Sequence, residues 1–303
     1  MPSTTVATAA RHRHRAPRRR APSRLPIVLM ALLGIGVLLY PTGARWISDR
    51  AHGAAIAGFV HDVQSLPVPE RRAELARARE YNQRLPGVAL GDPYAAGEGM
   101  DRSAPGVREY LDELDATSLL GRLRGPRIGL DLPIYHGTAT TTLDRGVGHL
   151  FGSSLPVGGA GTHAVLTGHS GQPRARLFDR LHELDIGDTF TVTVLDEVLT
   201  YRVDQVLVVE PDDTRSLRVT AGEDRVTLVT CTPIGVNSHR LLVRGERVDT
   251  AAEAAGEPAV RGATAPGLPW WALALGSATV VVGVLARRHA RRPEPSPEDR
   301  RRA

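Results

Sequence analysis

Two apolar runs near the ends of the chain limit what everything between them can become. Leu25 to Tyr40 is a 16-residue run with Pro26 in a tolerated first-turn position, and Leu268 to Ala286 is a 19-residue run without a charge. At about 1.5 Å per residue the first is near the lower limit for crossing a hydrocarbon core of about 30 Å, and the second is long enough. A basic segment before a short apolar one also suits a cleaved signal peptide. The following Pro41-Thr42-Gly43-Ala44-Arg45-Trp46 contains no small-x-small site, so an uncleaved anchor over residues 25–42 is expected. Arginines lie outside both runs, which places both termini in the cytoplasm of a two-pass protein of the cell membrane and turns the middle of the chain outward. The three tryptophans, Trp46, Trp270 and Trp271, sit at the inner ends of the two runs, where an interfacial belt requires them.

Charge distribution narrows the partners. The net charge of +5 would suit nucleic acid, but much of the basic excess lies in Arg11–Arg24 and Arg287–Arg302, beside the apolar runs, where anionic lipid head groups are the nearer partner. The sequence contains no lysine, so the chain has no lysine amine of its own to offer as an acceptor. Cys231 is the only cysteine, which leaves no disulfide framework and suits an extracytoplasmic domain held by its core alone.

That cysteine closes a β-branched run, Val226 to Thr230, and a Pro/Gly/Asn cluster then turns the chain into a second apolar run from Arg240. Strand, loop and returning strand bring a thiol and a guanidinium to one rim of a sheet. A lone cysteine by itself reads as a small buried hydrophobe. A nucleophilic thiol needs a proton-transfer partner and a donor for the developing oxyanion, and Arg240 can be that donor. For the proton-transfer partner the choice is His169, where a strand-like run within Gly161 to Gly171 ends among glycines. His163 has the same strand parity but lies nearer the far end, and His239 adjoins Arg240 with opposite parity.

Thr227-Leu228-Val229-Thr230-Cys231 followed by Arg240, with Leu166-Thr167-Gly168-His169 upstream, resembles the sortases, cysteine transpeptidases of Gram-positive cell surfaces. Leu155-Pro156-Val157-Gly158-Gly159 through His169, and Gly235 through Gly245, are similar to the class C, pilin-polymerising branch. The resemblance runs from about Tyr40 to Val248 and implies a mainly β fold, an eight-stranded sortase-type barrel. It also implies that Cys231 attacks the threonine carbonyl of a Leu-Pro-X-Thr-Gly-like sorting signal on a pilin or other surface protein. Arg240 then stabilises the oxyanion, His169 protonates the leaving glycine amine, and a lysine amine of the next pilin resolves the thioester. Asp92-Pro93-Tyr94 matches the order of the class C lid motif, an Asp-Pro-aromatic segment over the active site; in that place Asp92 can pair with Arg240 while the Tyr94 ring covers Cys231, and the family more often has Trp or Phe at the position of Tyr94. Two other readings are a housekeeping-type sortase serving a cell-wall amine and a non-catalytic barrel that binds surface proteins. No cofactor is implied, and the histidines lack paired metal-ligand spacing.

The expected organisation is a basic tail (1–24), an anchor (25–42), extracytoplasmic helices and lid loop (43–105), the barrel (106–248), a linker (249–267), a second membrane helix (268–286) and a basic tail (287–303). Ile56, Phe59, Val60 and Val63 recur at helical spacing, and helix is expected from Ala51 to Leu85. Strands are expected over 127–135, 189–195 and 198–209, with a short helix over 177–184.

Overall fold

A computed structural model describes residues 25–85, 90–94, 103, 105–248 and 267–290, in two compact units: residues 1–39 with 272–303, and residues 40–271. Both terminal tails up to residue 24 and beyond 290, most of the expected linker, and the lid loop after Tyr94 up to residue 102 lie outside the described residues.

Helix α1 spans Leu25–Ser65 and continues through Pro41, so the expected end of the anchor at residue 42 is not the end of a helix. The segment Pro26–Ser65 is the one described helix long and apolar enough to cross a membrane, with a mean hydropathy of 2.1 in its most apolar window. Helix α2 covers Val68–Arg84, and the chain then passes through short helices α3 (Val107–Asp112) and α4 (Thr140–Leu143). Helix α5, Trp270–Ala290, has an apolar part, Trp270–Leu285, that falls short of the same measure.

Within the unit of residues 40–271, α1 buries Ile56, Phe59 and Val63 while α2 buries Leu75, Ala78 and Tyr81. Those spacings of three and four make one apolar stripe on each helix. Val60 of the expected stripe is only partly buried. Asn82 anchors α2 by accepting from the Leu155 backbone N–H at 2.7 Å and donating to the Leu155 carbonyl at 2.9 Å.

Eight strands follow: β1 (Gly121–Gly125), β2 (Leu130–His136), β3 (Val147–His149), β4 (Thr162–Thr167), β5 (Thr189–Val194), β6 (Glu197–Val209), β7 (Asp224–Thr232) and β8 (His239–Val248). They close into a mainly β barrel in the order β1-β2-β3-β4-β7-β8-β6-β5, as expected of the fold. Closure removes the exposed edges an open sheet of this size would present. The β2–β3 and β4–β7 pairs are parallel and the others antiparallel. Two local expectations fail. The strand expected from Arg127 begins only at Leu130, because Pro126 opens a 3-10 turn that Gly129, at φ 66°, closes. The helix expected over 177–184 shrinks to a 3-10 turn, Leu181–Glu183; upstream of it the Phe178 N–H is donated to the His169 carbonyl at 2.9 Å.

Strand alternation sorts β7 and β8 into two faces. Val226, Leu228, Leu241 and Val243 join the barrel interior, whereas Val229 and Leu242 belong to a second apolar cluster with Leu150, Val165 and Leu217. Leu90 and Tyr94 pack on that outer cluster. Cys231 shares the parity of Val229, and Arg240 that of Leu242, so both project on the face that carries Leu90 and Tyr94.

Candidate active site

Cys231 and Arg240 are direct partners in the antiparallel β7–β8 register. Opposite residues in such a pair hold their Cβ atoms about 4.5–5.5 Å apart, which places a thiol beside a guanidinium without help from a loop. The parallel β4–β7 pairing ends at Thr167 opposite Val229, and the Gly168 N–H donates to the Val229 carbonyl at 3.1 Å. Carrying that register two residues further sets His169 opposite Cys231. Two side chains lock the junction: Thr230 Oγ1 donates to the Gly168 carbonyl and Ser170 Oγ to the Cys231 carbonyl, each at 2.7 Å. Sequence periodicity gives no sign of these two bonds, because Gly168 and Ser170 lie beyond the last regular β4–β7 pair.

Asp92 and Tyr94 lie against this rim. The Asp92 carboxylate accepts from Arg240 Nε at 2.9 Å and Nη2 at 2.7 Å, a two-point pair with side-chain exposures of 11% for Arg240 and 10% for Asp92. At that exposure solvent screens little of the attraction. Arg240 Nη1 is also engaged, donating to the Asn237 and His239 carbonyls at 3.1 Å each. Tyr94 stacks its ring 5.0 Å from the Arg240 guanidinium carbon and 5.7 Å from the His169 ring. Its hydroxyl donates toward the Gly168 carbonyl at 2.7 Å and the Val229 carbonyl at 3.2 Å. The phenol therefore reaches past the aromatic contact to the backbone of both strands that hold the site, a function Phe lacks.

Electrostatics in this arrangement favour neutral groups. Burial pushes the Cys231 thiol above its ordinary value; Arg240 opposes the shift and Asp92 reinforces it. Burial holds the His169 imidazole below its ordinary value, against the pull of the Asp144 carboxylate. With the thiol raised and the imidazole lowered, the proton resides on sulfur. Burial also raises Tyr94 well above the usual phenol value, so it remains a donor. Asp144 was not among the residues the sequence singled out; it accepts from Gln172 Nε2 at 3.2 Å, in the loop that follows His169.

The two other histidines considered for proton transfer, His163 and His239, are committed elsewhere, as is the core histidine His149. His163 is buried, with Nε2 at 2.7 Å from Thr227 Oγ1 and Nδ1 at 3.0 Å from the Arg218 carbonyl. His239 turns to Glu210 at 3.2 Å. His149 stacks with Tyr110 inside the core, its Nδ1 2.9 Å from the Tyr110 hydroxyl.

The sortase domain model matches residues 123–248. Sortase C-1 from Actinomyces oris is 49% identical, with 60% of this chain and 99% of that chain covered at a TM-score of 0.58. This chain belongs to the sortase family. Sortase C from Streptococcus pneumoniae, a structure described with reference to pilin substrate specificity, is 40% identical, with 63% of this chain and 94% of that one covered at a TM-score of 0.59. Among curated relatives, sortase D of Bacillus subtilis (strain 168) is 32% identical over 131 residues, 42% of this chain. The match spans 63% of that relative's length, slightly under two thirds. Class C sortases are thus among the structural neighbours, and the barrel with its N-terminal helices is the sortase fold.

Proposed function

We propose that this chain is a membrane-anchored cysteine transpeptidase of the class C kind, which joins pilin subunits through a sorting signal. The observation that carries the reading is the convergence of Cys231, Arg240 and His169 on one outer face, beneath a segment whose aspartate occupies the arginine. Cys231 sulfur attacks the threonine carbonyl of a Leu-Pro-X-Thr-Gly-like signal while its proton passes to His169. The oxyanion accepts from Arg240, and His169 returns the proton to the glycine amine as the Thr–Gly bond breaks. The thioester on Cys231 is then attacked by a lysine amine of the next pilin; His169 takes the amine proton, the thiol is restored, and an isopeptide bond remains. The acceptor comes from another protein, since the chain contains no lysine.

In the closed arrangement Asp92 holds two guanidinium nitrogens and backbone carbonyls hold the third. Arg240 therefore has to release Asp92 before it can serve an oxyanion, and Asp92-Pro93-Tyr94 acts as a lid that substrate must displace. The apolar part of α1 is the anchor. The second apolar run completes a two-pass topology with cytoplasmic termini and an outward catalytic unit, in the domain order set out above.

The test incubates the full-length chain with a Leu-Pro-X-Thr-Gly peptide and a lysine-bearing pilin fragment and seeks the peptide–lysine conjugate by mass. Conjugate that is lost in Cys231→Ala and at least a hundredfold slower in Arg240→Ala supports the reading. Conjugation that survives without Cys231 refutes it.

A further inference from the structure

The unit of residues 40–271 contains a second site-like feature that shares no residue with the Cys231 rim. It is a cavity of about 320 Å³ lined by Thr42, Arg45, Trp46, Asp49, Arg176 and Trp270, among others. Its walls are tied together. Trp46 Nε1 donates to the Gly267 carbonyl at 2.8 Å, the Trp46 and Trp271 rings meet edge-on at 6.3 Å, and the Trp271 ring covers Gly43. The neighbouring Arg174 donates to the Tyr40 hydroxyl at 3.2 Å, which holds the 174–176 segment against α1.

The cavity carries two arginines against one carboxylate: Arg45 and Arg176 both act on the charge of Asp49, and the lining keeps a net positive charge. Arg45 Nε is buried without a hydrogen-bond acceptor, and among the described residues neither Arg45 nor Arg176 lies within 4.0 Å of a carboxylate oxygen. Asp49 is the one acidic residue in the lining. A buried guanidinium nitrogen without an acceptor is unfavourable, and an incoming anion removes that penalty. The position along the chain indicates which anion. Thr42 and Arg45 follow the apolar run that ends at Tyr40 by two and five residues, roughly 3 to 8 Å further along the helix axis. That is the depth at which phosphates lie outside a hydrocarbon core, and Trp46 and Trp270 supply the amphipathic rings found at that level. A free phosphate would be served by two arginines alone; the indole-lined rim next to an apolar segment suits a phosphate that carries acyl chains.

We propose that this cavity seats the phosphate of an anionic phospholipid head group, with Arg45 and Arg176 as its donors and Trp46 and Trp270 at its rim. Binding there clamps the 174–176 segment to the base of α1, so that an anionic lipid fixes the outward unit at the membrane surface. The inference rests on the anchor reading of α1 and is independent of the transpeptidase chemistry.

The experiment reconstitutes the full-length chain into nanodiscs of phosphatidylcholine alone or with phosphatidylglycerol and follows tryptophan emission. All three tryptophans of the sequence belong to this region, so the signal reports on it directly. In parallel, native mass spectrometry of the delipidated protein gives affinities for the two lipids. Wild type is expected to bind phosphatidylglycerol preferentially with a change in emission. Arg45→Gln/Arg176→Gln should weaken that binding on the order of thirtyfold with unchanged circular dichroism. Arg18→Gln/Arg19→Gln, in the N-terminal tail, should leave the emission response intact. The proposal is overturned if wild type shows no lipid preference, if only the tail variant loses it, or if 10 mM inorganic phosphate displaces the lipid and reproduces the emission change. Failure to enter nanodiscs at all would instead refute the anchor reading.

Discussion

The lid makes the sharpest prediction. Asp92→Ala removes both carboxylate bonds to Arg240 and leaves Tyr94 with its two backbone acceptors and its cation–π contact. Hydrogen bonds to charged groups contribute roughly 1.5–3 kcal/mol, and the low exposure of this pair prevents solvent from replacing them fully. A loss of about 2 kcal/mol raises the open fraction about thirtyfold. The residual Tyr94 contacts, about 0.5–1 kcal/mol for the cation–π part, keep the lid from complete release. Because Cys231 is the only cysteine, the rate of modification by a thiol reagent reads the open fraction directly. A second effect has the same sign: Asp92 pushes the thiol pKa up and Arg240 pulls it down, so losing Asp92 moves the rate–pH profile to lower pH. The expected result for Asp92→Ala is labelling on the order of ten- to thirtyfold faster at neutral pH, with a downward shift of the midpoint. A rate within twofold of wild type, in a protein of unchanged stability, would refute the claim that this pair holds the lid.

Tyr94→Phe keeps the ring and removes the hydroxyl bonds to the Gly168 and Val229 carbonyls, so labelling of Cys231 should rise about fivefold, less than in Asp92→Ala; equal or greater acceleration would contradict the assignment. Stability should fall as the medium is acidified. His149 is held down to about 3 by burial, so the folded state binds fewer protons than the unfolded one below about 6.5, and the stability present above that value is lost toward pH 3. The loss is about 1.4 kcal/mol per pH unit from this group, with His136 and His163 shifted in the same direction, and urea midpoints between pH 7 and 5 test it. Gly171 sits at φ 74°, and a Cβ there would collide with Ile234 Cγ2, so Gly171→Ala should cost about 1–2 kcal/mol and lower the thermal midpoint by a few degrees. An unchanged midpoint would show that the β7–β8 loop yields without cost.

What the sequence made legible was periodic or carried by motif. The β7–loop–β8 hairpin and the helical stripe of Ile56, Phe59 and Val63 follow from alternation and spacing, whereas the meeting of Asp92 with Arg240 was expected only through the resemblance to the class C lid motif. Less legible were features fixed only by closure of the barrel. Leu90 and Leu217 are isolated apolar residues in turn-rich segments, and only the completed outer face of β4, β7 and β8 shows that they form its cover with Tyr94. Ser170 lies beyond the end of β4, Asp144 follows α4, and Thr230 reaches from within β7 to the Gly168 carbonyl, so no period marks these contacts. Arg127 and Ile128 looked extended because apolar residues alternate there, but Pro126 fixes φ, and the local turn overrode the pattern. Helix α1 runs on through Pro41 because a proline removes one intrahelical bond without ending a helix of this length.

The central claim is that Cys231 becomes acylated by a sorting signal. The most direct measurement is intact mass of full-length Asp92→Ala incubated with a Leu-Pro-X-Thr-Gly peptide and quenched in acid, beside the same protein carrying Cys231→Ala. The account predicts a mass increase equal to the peptide minus its glycine-terminal leaving group, sensitive to hydroxylamine and absent without Cys231. A folded Asp92→Ala protein that accumulates no adduct and releases no glycine-terminal fragment, or an adduct that persists in Cys231→Ala, would contradict it.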